Sequence, residues 1–149
     1  MKSTIKYGDK TDLALDTWVK LARAFSTFNK KSIDNIRSFN LTQSQFSVLE
    51  VLGHLGPMKI GDVCDKMLVS GGNMTLILDN LEKLELIERV LSKVDRRAIN
   101  VRLTGKGQKL FDDIFEQHAK FVLEKMSVLS KEEQKQLGVL LKKLGTTLH

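Results

Sequence analysis

Apolar residues between positions 70 and 84 recur at intervals of three and four, and the interval then changes to two. The first spacing predicts an amphipathic helix of about fifteen residues, whose first turn the Ser70 hydroxyl can cap. Its buried stripe comprises Met74, Ile77, Leu78, Leu81 and Leu84. The second spacing, over residues 86–91 and 98–103, predicts a hairpin of two short strands. One side of the second strand carries Ile99, Val101 and Leu103.

The opposite face of this helix is mostly polar, and the hairpin that follows is basic. The exposed strip comprises Asn73, Thr75, Leu76, Asn80 and Lys83. From Lys83 to Lys106 there are seven Lys or Arg residues against three Asp or Glu residues, so the local charge is +4. A helix with such a face fits the major groove of DNA, and a basic hairpin tip can reach the phosphate backbone or the adjacent minor groove.

Several helix starts carry explicit signals. Thr42 and Gln45 have the spacing of a capping box inside a hydrophobic staple, Leu41–Phe46, and predict a helix that ends before Gly56-Pro57. Thr104 can cap a helix over residues 105–128. Ser130 and Glu133 form a second capping box, which opens a last helix.

Two further helices are predicted from apolar spacing alone. Residues 12–36 form a long amphipathic helix whose wide apolar flanks indicate a partner chain, although a helix buried within a monomer is the alternative. Residues 60–68 form a short helix. Its inward residues are expected to be Ile60, Val63, Cys64 and Met67.

Composition restricts the class of protein without identifying it. A chain of 149 residues with 42% hydrophobic residues forms one domain, or two small sub-domains that share a core. Its net charge of +6 is compatible with a polyanionic partner. One cysteine excludes an internal disulfide framework, and neither a membrane-spanning stretch nor a secretory leader is present in the sequence, so we expect a cytoplasmic protein.

No catalytic, cofactor or metal site is expected. The three histidines, His54, His118 and His149, are scattered without metal-ligand spacing. The sequence also lacks a Gly-rich phosphate loop and a nucleophile–base arrangement.

Two helices joined by a glycine-containing turn and followed by a hairpin are typical of a winged helix-turn-helix. Six segments resemble, in order and spacing, the multiple-antibiotic-resistance regulator (MarR) family. They are LTQSQFSVL (41–49), IGDV (60–63), SGGNMT (70–75), LEK (81–83), DRR (95–97) and LT-x-KG (103–107). The resemblance extends over roughly residues 12 to 148, and Asp95-Arg96-Arg97 before an alternating strand is its most specific part.

The resemblance implies a mainly α fold with a small β wing, in one MarR-like domain over residues 1–149. Residues 39–104 would form a winged helix-turn-helix lobe (the lobe), and residues 1–38 and 105–149 a base of dimerisation helices (the base). It implies a homodimer that binds pseudo-palindromic operators in double-stranded DNA, usually as a repressor. A small aromatic ligand or an oxidant, acting where the base meets the lobe, would release the DNA.

The resemblance also implies site residues. The recognition helix would use Ser70, Gly72, Asn73, Thr75, Leu76, Asn80 and Lys83. The wing would use Lys93, Asp95, Arg96 and Arg97. Asp95 resembles a partner that orients one wing arginine while the other enters the minor groove; which arginine plays which part stays open, and a solvated turn with one surface ion pair is the alternative. A ligand pocket would include Trp18, Phe46 and His118, although aromatic residues at helical spacing are usually core.

Three positions depart from the family pattern. Leu76 and Asn80 stand where arginine is common, which should reduce phosphate contacts and guanine recognition, although Leu76 can contact a thymine methyl. Glu85 stands where a glycine commonly ends the recognition helix. A left-handed conformation costs a non-glycine residue roughly 1–2 kcal/mol, so we expect a differently shaped helix end.

Two alternative functions stay open. The missing arginines favour a winged-helix module for protein–protein contact without specific DNA binding. A regulator that senses oxidants through Cys64 is the other, but the sensing cysteine of the peroxide-responsive branch lies in the first helix, where this chain has none. Cys64 is therefore expected to be a small buried hydrophobic residue.

Overall fold

The computed structural model describes residues 6–67, 73–91 and 99–147, and in them the chain forms six helices and three short strands. The helices are α1 (Asp9–Arg37), α2 (Gln43–Leu55), α3 (Ile60–Lys66), α4 (Met74–Lys83), α5 (Gly105–Met126) and α6 (Lys131–Thr147). The strands are β1 (Met58–Lys59), β2 (Ile87–Leu91) and β3 (Ile99–Leu103). The expected mainly α fold with a small sheet is confirmed. Within these ranges, no helix combines the length and apolarity needed to cross a membrane.

The three strands form one antiparallel sheet in the order β1-β3-β2. Val101 of β3 pairs with Arg89 of β2 on one side and Met58 of β1 on the other, and it is fully buried. The sequence did not predict β1, because two residues are too few to show an alternating pattern. Ile99 was predicted to lie on the same side of the strand as Val101. It is 45% exposed, whereas Val101 is buried, since Ile99 is the first residue of β3 and lies at the end of the sheet.

Three of the predicted helix caps, those of α2, α5 and α6, are confirmed. Gln45 donates its backbone N–H to Thr42 Oγ1 at 3.2 Å, and Thr42 donates to Gln45 Oε1 at 2.9 Å, which completes the capping box of α2. Ser130 and Glu133 make the same reciprocal pair at 3.3 and 2.7 Å. Thr104 Oγ1 accepts the N–H of Gly107 at 3.0 Å and caps α5. Each side chain satisfies a backbone donor that the helix leaves without a partner.

The hydrophobic core lies around α2. Its fully buried side chains are Val48 and Leu49 of α2, Val63 of α3, Leu78 and Leu81 of α4, Ile87 of β2 and Val101 of β3. Ile114 of α5 and Ile36 at the end of α1 join the same cluster. The core therefore fixes α4 and the sheet against α2, while only short parts of α1 and α5 reach it.

Two residues predicted to face inward are exposed. Cys64 follows the buried Val63 by one position, and a rotation of about 100° per residue turns it away from the core. Leu84 is 47% exposed because α4 ends at Lys83, so Leu84 stands outside the buried stripe as the C-cap.

Candidate nucleic-acid interface

The helix α4 begins later than the sequence predicted. Its N-cap is Asn73, whose Oδ1 accepts the N–H of Leu76 at 3.3 Å, and the helix spans ten residues from Met74. The prediction that Ser70 caps a helix of about fifteen residues is therefore wrong. Both residues are good N-caps three positions apart, and the structure uses the second one.

The two faces of α4 match the predicted division. Leu78 and Leu81 are fully buried, and Met74 and Ile77 pack against the core from partly buried positions. Five of the residues predicted to contact DNA from this helix lie within the described ranges, and all five are exposed. They are Asn73, Thr75, Leu76, Asn80 and Lys83. Three of them, Leu76, Asn80 and Lys83, follow one another at helical spacing and form a single line along the helix, which we name the α4 stripe.

The C-terminal end of α4 corrects the expectation for Glu85. The residue adopts φ +60°, the left-handed conformation that glycine would take. Leu86 donates its N–H to the Leu81 carbonyl at 3.0 Å and Glu85 donates to the Glu82 carbonyl at 2.9 Å, which is the Schellman pattern. The prediction of a differently shaped helix end is therefore wrong. Surrounding contacts hold the turn, since Thr104 Oγ1 donates to the Glu85 carbonyl at 2.6 Å.

An ion-pair cluster that the sequence did not predict joins α4 to the sheet. The guanidinium of Arg89 on β2 donates to Asp79 Oδ1 at 2.7 Å and also to Glu82 Oε2. The Arg89 backbone N–H donates to Glu82 Oε1 at 3.3 Å. The hydrogen bond with Asp79 is the largest of the interactions that raise the pKa of Arg89. We call Arg89, Asp79 and Glu82 the clamp, because they fix the orientation of α4 relative to the hairpin.

The clamp and two further ion pairs change the electrostatics of the predicted interface. Arg102 pairs with Glu88 at 2.8 Å, and Lys106 pairs with Glu85 at 3.2 Å. Among the described residues between 83 and 106, the cation that makes no such pair is Lys83. Apart from Lys83, the positive side chains of the described surface are therefore neutralised by neighbouring carboxylates. The remaining excess of positive charge in the sequence lies in residues 92–98.

Several predicted contact residues lie outside the described residues. They are Ser70 and Gly72 of the turn before α4, and Lys93, Asp95, Arg96 and Arg97 of the wing. β2 and β3 flank the wing segment, and Leu91 and Ile99 are register partners at its two ends. The roles assigned to these six residues stay predictions.

Two of the three predicted pocket residues meet where α1, α2 and α5 converge. The rings of Phe46 and His118 lie 4.8 Å apart, and Asn35 Oδ1 lies 2.8 Å from His118 Nδ1. Phe121 stacks on His118 with ring centroids 5.9 Å apart. We name these four residues the junction cluster. Burial lowers the pKa of His118, so its imidazole is neutral at physiological pH.

Trp18 does not join this cluster within one chain. It is 63% exposed, and it precedes Asn35 on α1 by seventeen residues, a distance of about 25 Å along a helix. An open groove between α1 and α5 lies nearer to the cluster, and Phe28 links the two, because its ring lies 6.3 Å from that of Phe121. The groove is lined by Arg23, Ala24, Thr27, Phe28, Lys31 and Lys125.

Comparison with known proteins decides the family. The sequence model of the MarR family matches residues 41–99. The HTH-type transcriptional regulator MhqR of Bacillus subtilis (strain 168) is 36% identical over 135 residues, covering 91% of this chain and 93% of MhqR. This chain belongs to the MarR family. YkoM, an uncharacterized HTH-type transcriptional regulator of the same strain, is 34% identical over 137 residues, covering 92% of this chain and 89% of YkoM.

A solved structure supports the same fold. NadR, crystallised in complex with 4-hydroxyphenylacetate, has a TM-score of 0.71 and 24% identity, and the match covers 97% of each chain. As a member of the MarR family, this chain is a transcriptional regulator with a DNA-binding helix-turn-helix, and such regulators are not enzymes. The residues matched by the family model extend from the capping segment of α2 to the first residue of β3, so they contain α4 and the clamp.

Proposed function

We propose that this chain is a homodimeric repressor that binds a pseudo-palindromic operator in double-stranded DNA, acting in the cytoplasm. In this proposal α4 enters the major groove, and Lys93, Arg96 and Arg97 of the wing contact phosphates or the adjacent minor groove. One observation carries it: the exposed α4 stripe belongs to a helix that the clamp fixes against the hairpin. A fixed helix can insert into a groove without the entropic cost of becoming ordered.

Dimerisation through the base is supported by its exposed apolar side chains. On α1 these include Leu13, Leu15, Trp18, Val19 and Phe25. On α6 they include Leu137, Val139, Leu140, Leu141 and Leu144, and this helix has no buried residue. Apolar faces of this size on two helices are typical of association surfaces. A two-fold dimer would present two α4 helices about one turn of DNA, roughly 34 Å, apart.

The proposal is tested by selecting bound duplexes from a random pool and measuring their affinity by fluorescence anisotropy. We expect one enriched pseudo-palindrome, whose affinity falls steeply with salt because phosphate contacts release counterions. Replacing Arg96 and Arg97 together with alanine should weaken binding at least about tenfold, since two wing cations are lost.

The matched control replaces Lys142 and Lys143 of α6 with alanine, which removes the same charge from a helix outside the lobe. The operator affinity of this control variant should stay within about twofold of that of the unaltered protein, because exposed charges far from a binding site act weakly. If both variants lose the same operator affinity, the two wing arginines act only through the net charge of the protein and not through contacts of their own. Equal affinity for every duplex would favour the protein-interaction alternative, which the absence of arginine from the α4 stripe supports.

We also propose that a small aromatic or phenolic ligand releases the DNA by binding beside the junction cluster. Aromatic rings, a neutral imidazole and the cations Arg23, Lys31 and Lys125 lie close together there. That combination suits a ring with a carboxylate or phenolate group. NadR, which has the same fold, was crystallised with 4-hydroxyphenylacetate.

The ligand proposal has its own test. 4-Hydroxyphenylacetate and salicylate should raise the midpoint of thermal unfolding and lower operator affinity, because a ligand that binds one state shifts the equilibrium toward it. Phe28→Ala should reduce both effects, whereas Leu55→Ala, at an exposed leucine of α2, should not. If no aromatic acid changes operator affinity, the release mechanism is wrong. The oxidant alternative is tested separately with Cys64→Ser after peroxide treatment.

A further inference from the structure

The α4 stripe contains one large apolar side chain among polar ones. Leu76 is 54% exposed, with Thr75 beside it and Asn80 and Lys83 following it along the helix. The other leucines within α4, Leu78 and Leu81, are fully buried. An isolated exposed leucine usually needs no explanation, but this one lies on the surface that is proposed to meet DNA.

The hydrogen bonds of α4 leave few side chains free to contact a base. Asn73 Oδ1 is occupied as the N-cap, and both carboxylates of α4, Asp79 and Glu82, are held by Arg89. Within the described part of the helix, the uncharged side chains left on the exposed side are those of Thr75, Leu76 and Asn80. Of these, Leu76 and Asn80 share the α4 stripe.

The chemistry of the major groove restricts what Leu76 can face. The thymine C5-methyl is the apolar group presented there, while guanine and cytosine present donors and acceptors. A leucine packed against a G·C pair would leave those polar atoms without partners or water, which is unfavourable. An asparagine amide, in contrast, matches the N6 and N7 atoms of adenine with two hydrogen bonds.

Spacing places both contacts within one short stretch of sequence. Leu76 and Asn80 are four residues apart, or about 6 Å along a helix, which equals nearly two base-pair steps of 3.4 Å. We propose, on the basis of the proposed operator binding, that Leu76 and Asn80 are specificity-determining residues. In each half-site Leu76 packs on a thymine methyl, and Asn80 pairs with an adenine one or two base pairs away.

The test uses the highest-affinity duplex recovered by selection. Replacing each thymine in turn with deoxyuridine removes one methyl group and keeps all base-pair hydrogen bonds. At one position in each half-site, we expect a loss of about fourfold per half-site with the unaltered protein, the equivalent of one buried methyl. Leu76→Ala removes the contact from both half-sites, so it should bind the thymine duplex about sixteenfold more weakly and should no longer distinguish it from the deoxyuridine duplex.

Leu84→Ala is the matched control. Leu84 is also an exposed leucine at α4, but it is the C-cap and lies off the α4 stripe. This variant should keep the full thymine preference. A Leu76→Ala protein that still distinguishes thymine from deoxyuridine, or a selected duplex without any thymine-sensitive position, would overturn the assignment of Leu76 while leaving operator binding in place.

Asn80 is tested with a second base analogue. Replacing the paired adenine with 7-deaza-adenine removes the N7 acceptor, and we expect a loss of about tenfold that disappears in Asn80→Ala. If Asn80→Ala and the unaltered protein lose the same affinity on the analogue, the adenine contact belongs to another residue. If selection enriches no duplex at all, the proposed function itself fails, and the two results are therefore distinguishable.

Discussion

Helices α2 and α6 carry apolar stripes of similar kind, yet the chain covers only one of them. α2 lies at the centre of the lobe, and its Val48 and Leu49 are fully buried. α6 lies in the base, and none of its residues is buried, although Leu140 and Leu144 repeat at helical spacing. The periodicity of a helix therefore shows that a face must be covered, but it does not show whether the same chain or a second copy covers it.

The comparison predicts different dependence on concentration. The lobe completes its core within one chain, so its unfolding should not depend on the amount of protein. The base leaves large apolar side chains in solvent, and if a second copy covers them, its stability is coupled to association. A substitution that disrupts association through the base should therefore leave the folded lobe measurable, and a substitution that destabilises the lobe should leave association measurable.

The largest effect is expected in the base. Replacing Leu137 and Leu144 of α6, seven residues apart on one face, with lysine should weaken self-association at least about a thousandfold, because two unpaired charges would be buried in the dimer. Sedimentation equilibrium measures the change. Leu55→Lys, at an exposed leucine of the lobe, is the control and should leave the dimer intact. A stable dimer in the double variant would show that α6 is not part of the interface.

The next effect concerns the seam between the lobe and α5. A Cβ atom on Gly107 would lie 1.8 Å from the carbonyl oxygen of Leu86, which already accepts the N–H of Thr104 at 3.1 Å. Gly107→Ala should lower the free energy of unfolding by about 3 kcal/mol, because backbone must move to admit the methyl group. Urea denaturation followed by circular dichroism measures the loss.

Gly105, in the same turn of α5, provides the control for that change. No atom lies within 4 Å of a Cβ built at Gly105. Gly105→Ala should be neutral or should stabilise by up to about 1 kcal/mol through helix propensity. Equal losses in the two variants would mean that the close approach of Leu86 to Gly107 does not hold in solution.

Local signals in the sequence predicted where three helices begin, one in the lobe and two in the base. The caps at Thr42, Thr104 and Ser130 depend on residues three positions apart, so they are visible in the sequence before folding. The start of α4 was wrong because Ser70 and Asn73 are both suitable caps, and propensity alone does not choose between them. Cys64 was misplaced because α3 is only seven residues long, too short to define a stripe.

The clamp and the conformation of Glu85 could not be predicted from local sequence signals, because both depend on residues that are distant in the sequence. Arg89 meets Asp79 and Glu82 only after the turn at Glu85 folds β2 back against α4. That turn itself was predicted to differ, since the cost of a left-handed glutamate was counted without the contacts from Thr104 and Lys106 that oppose it. Tertiary contacts decided both features.

Within the lobe, the clamp should matter more than a surface pair. Arg89→Met leaves two neighbouring carboxylates without their cation, and it should lower the free energy of unfolding by about 1–2 kcal/mol, as expected for half-buried charged hydrogen bonds. Arg102→Met removes an exposed pair with Glu88 and should change stability by less than about 0.5 kcal/mol. Operator affinity should fall only in Arg89→Met, since only that change frees α4 from β2. Identical behaviour of the two variants would contradict the role given to the clamp.

A smaller gain is expected at the end of α4. Glu85→Gly removes the cost of a left-handed glutamate, about 1–2 kcal/mol, but loses the exposed pair with Lys106 and adds freedom to the unfolded chain. The net result should be a stabilisation of about 0.5 kcal/mol in urea denaturation. Glu85→Ala keeps the conformational cost and loses the pair, so it should not stabilise. A gain with alanine as large as that with glycine would attribute the effect to charge instead of backbone conformation.

The smallest effect should appear where the lobe meets the base. Burial holds the pKa of His118 below its ordinary value of about 6.5, so below that pH the unfolded chain binds more protons than the folded one. Stability should therefore fall as pH decreases through 6.5 and should not depend on this group above it. His118→Gln keeps a partner for Asn35 and removes the titration, so the difference in unfolding free energy between the two proteins should change only on the acid side. A difference that stays constant from pH 8 to pH 5, or one that changes only above 6.5, would mean that the folded protein does not disfavour a charged imidazole, and the junction cluster would then be open to water.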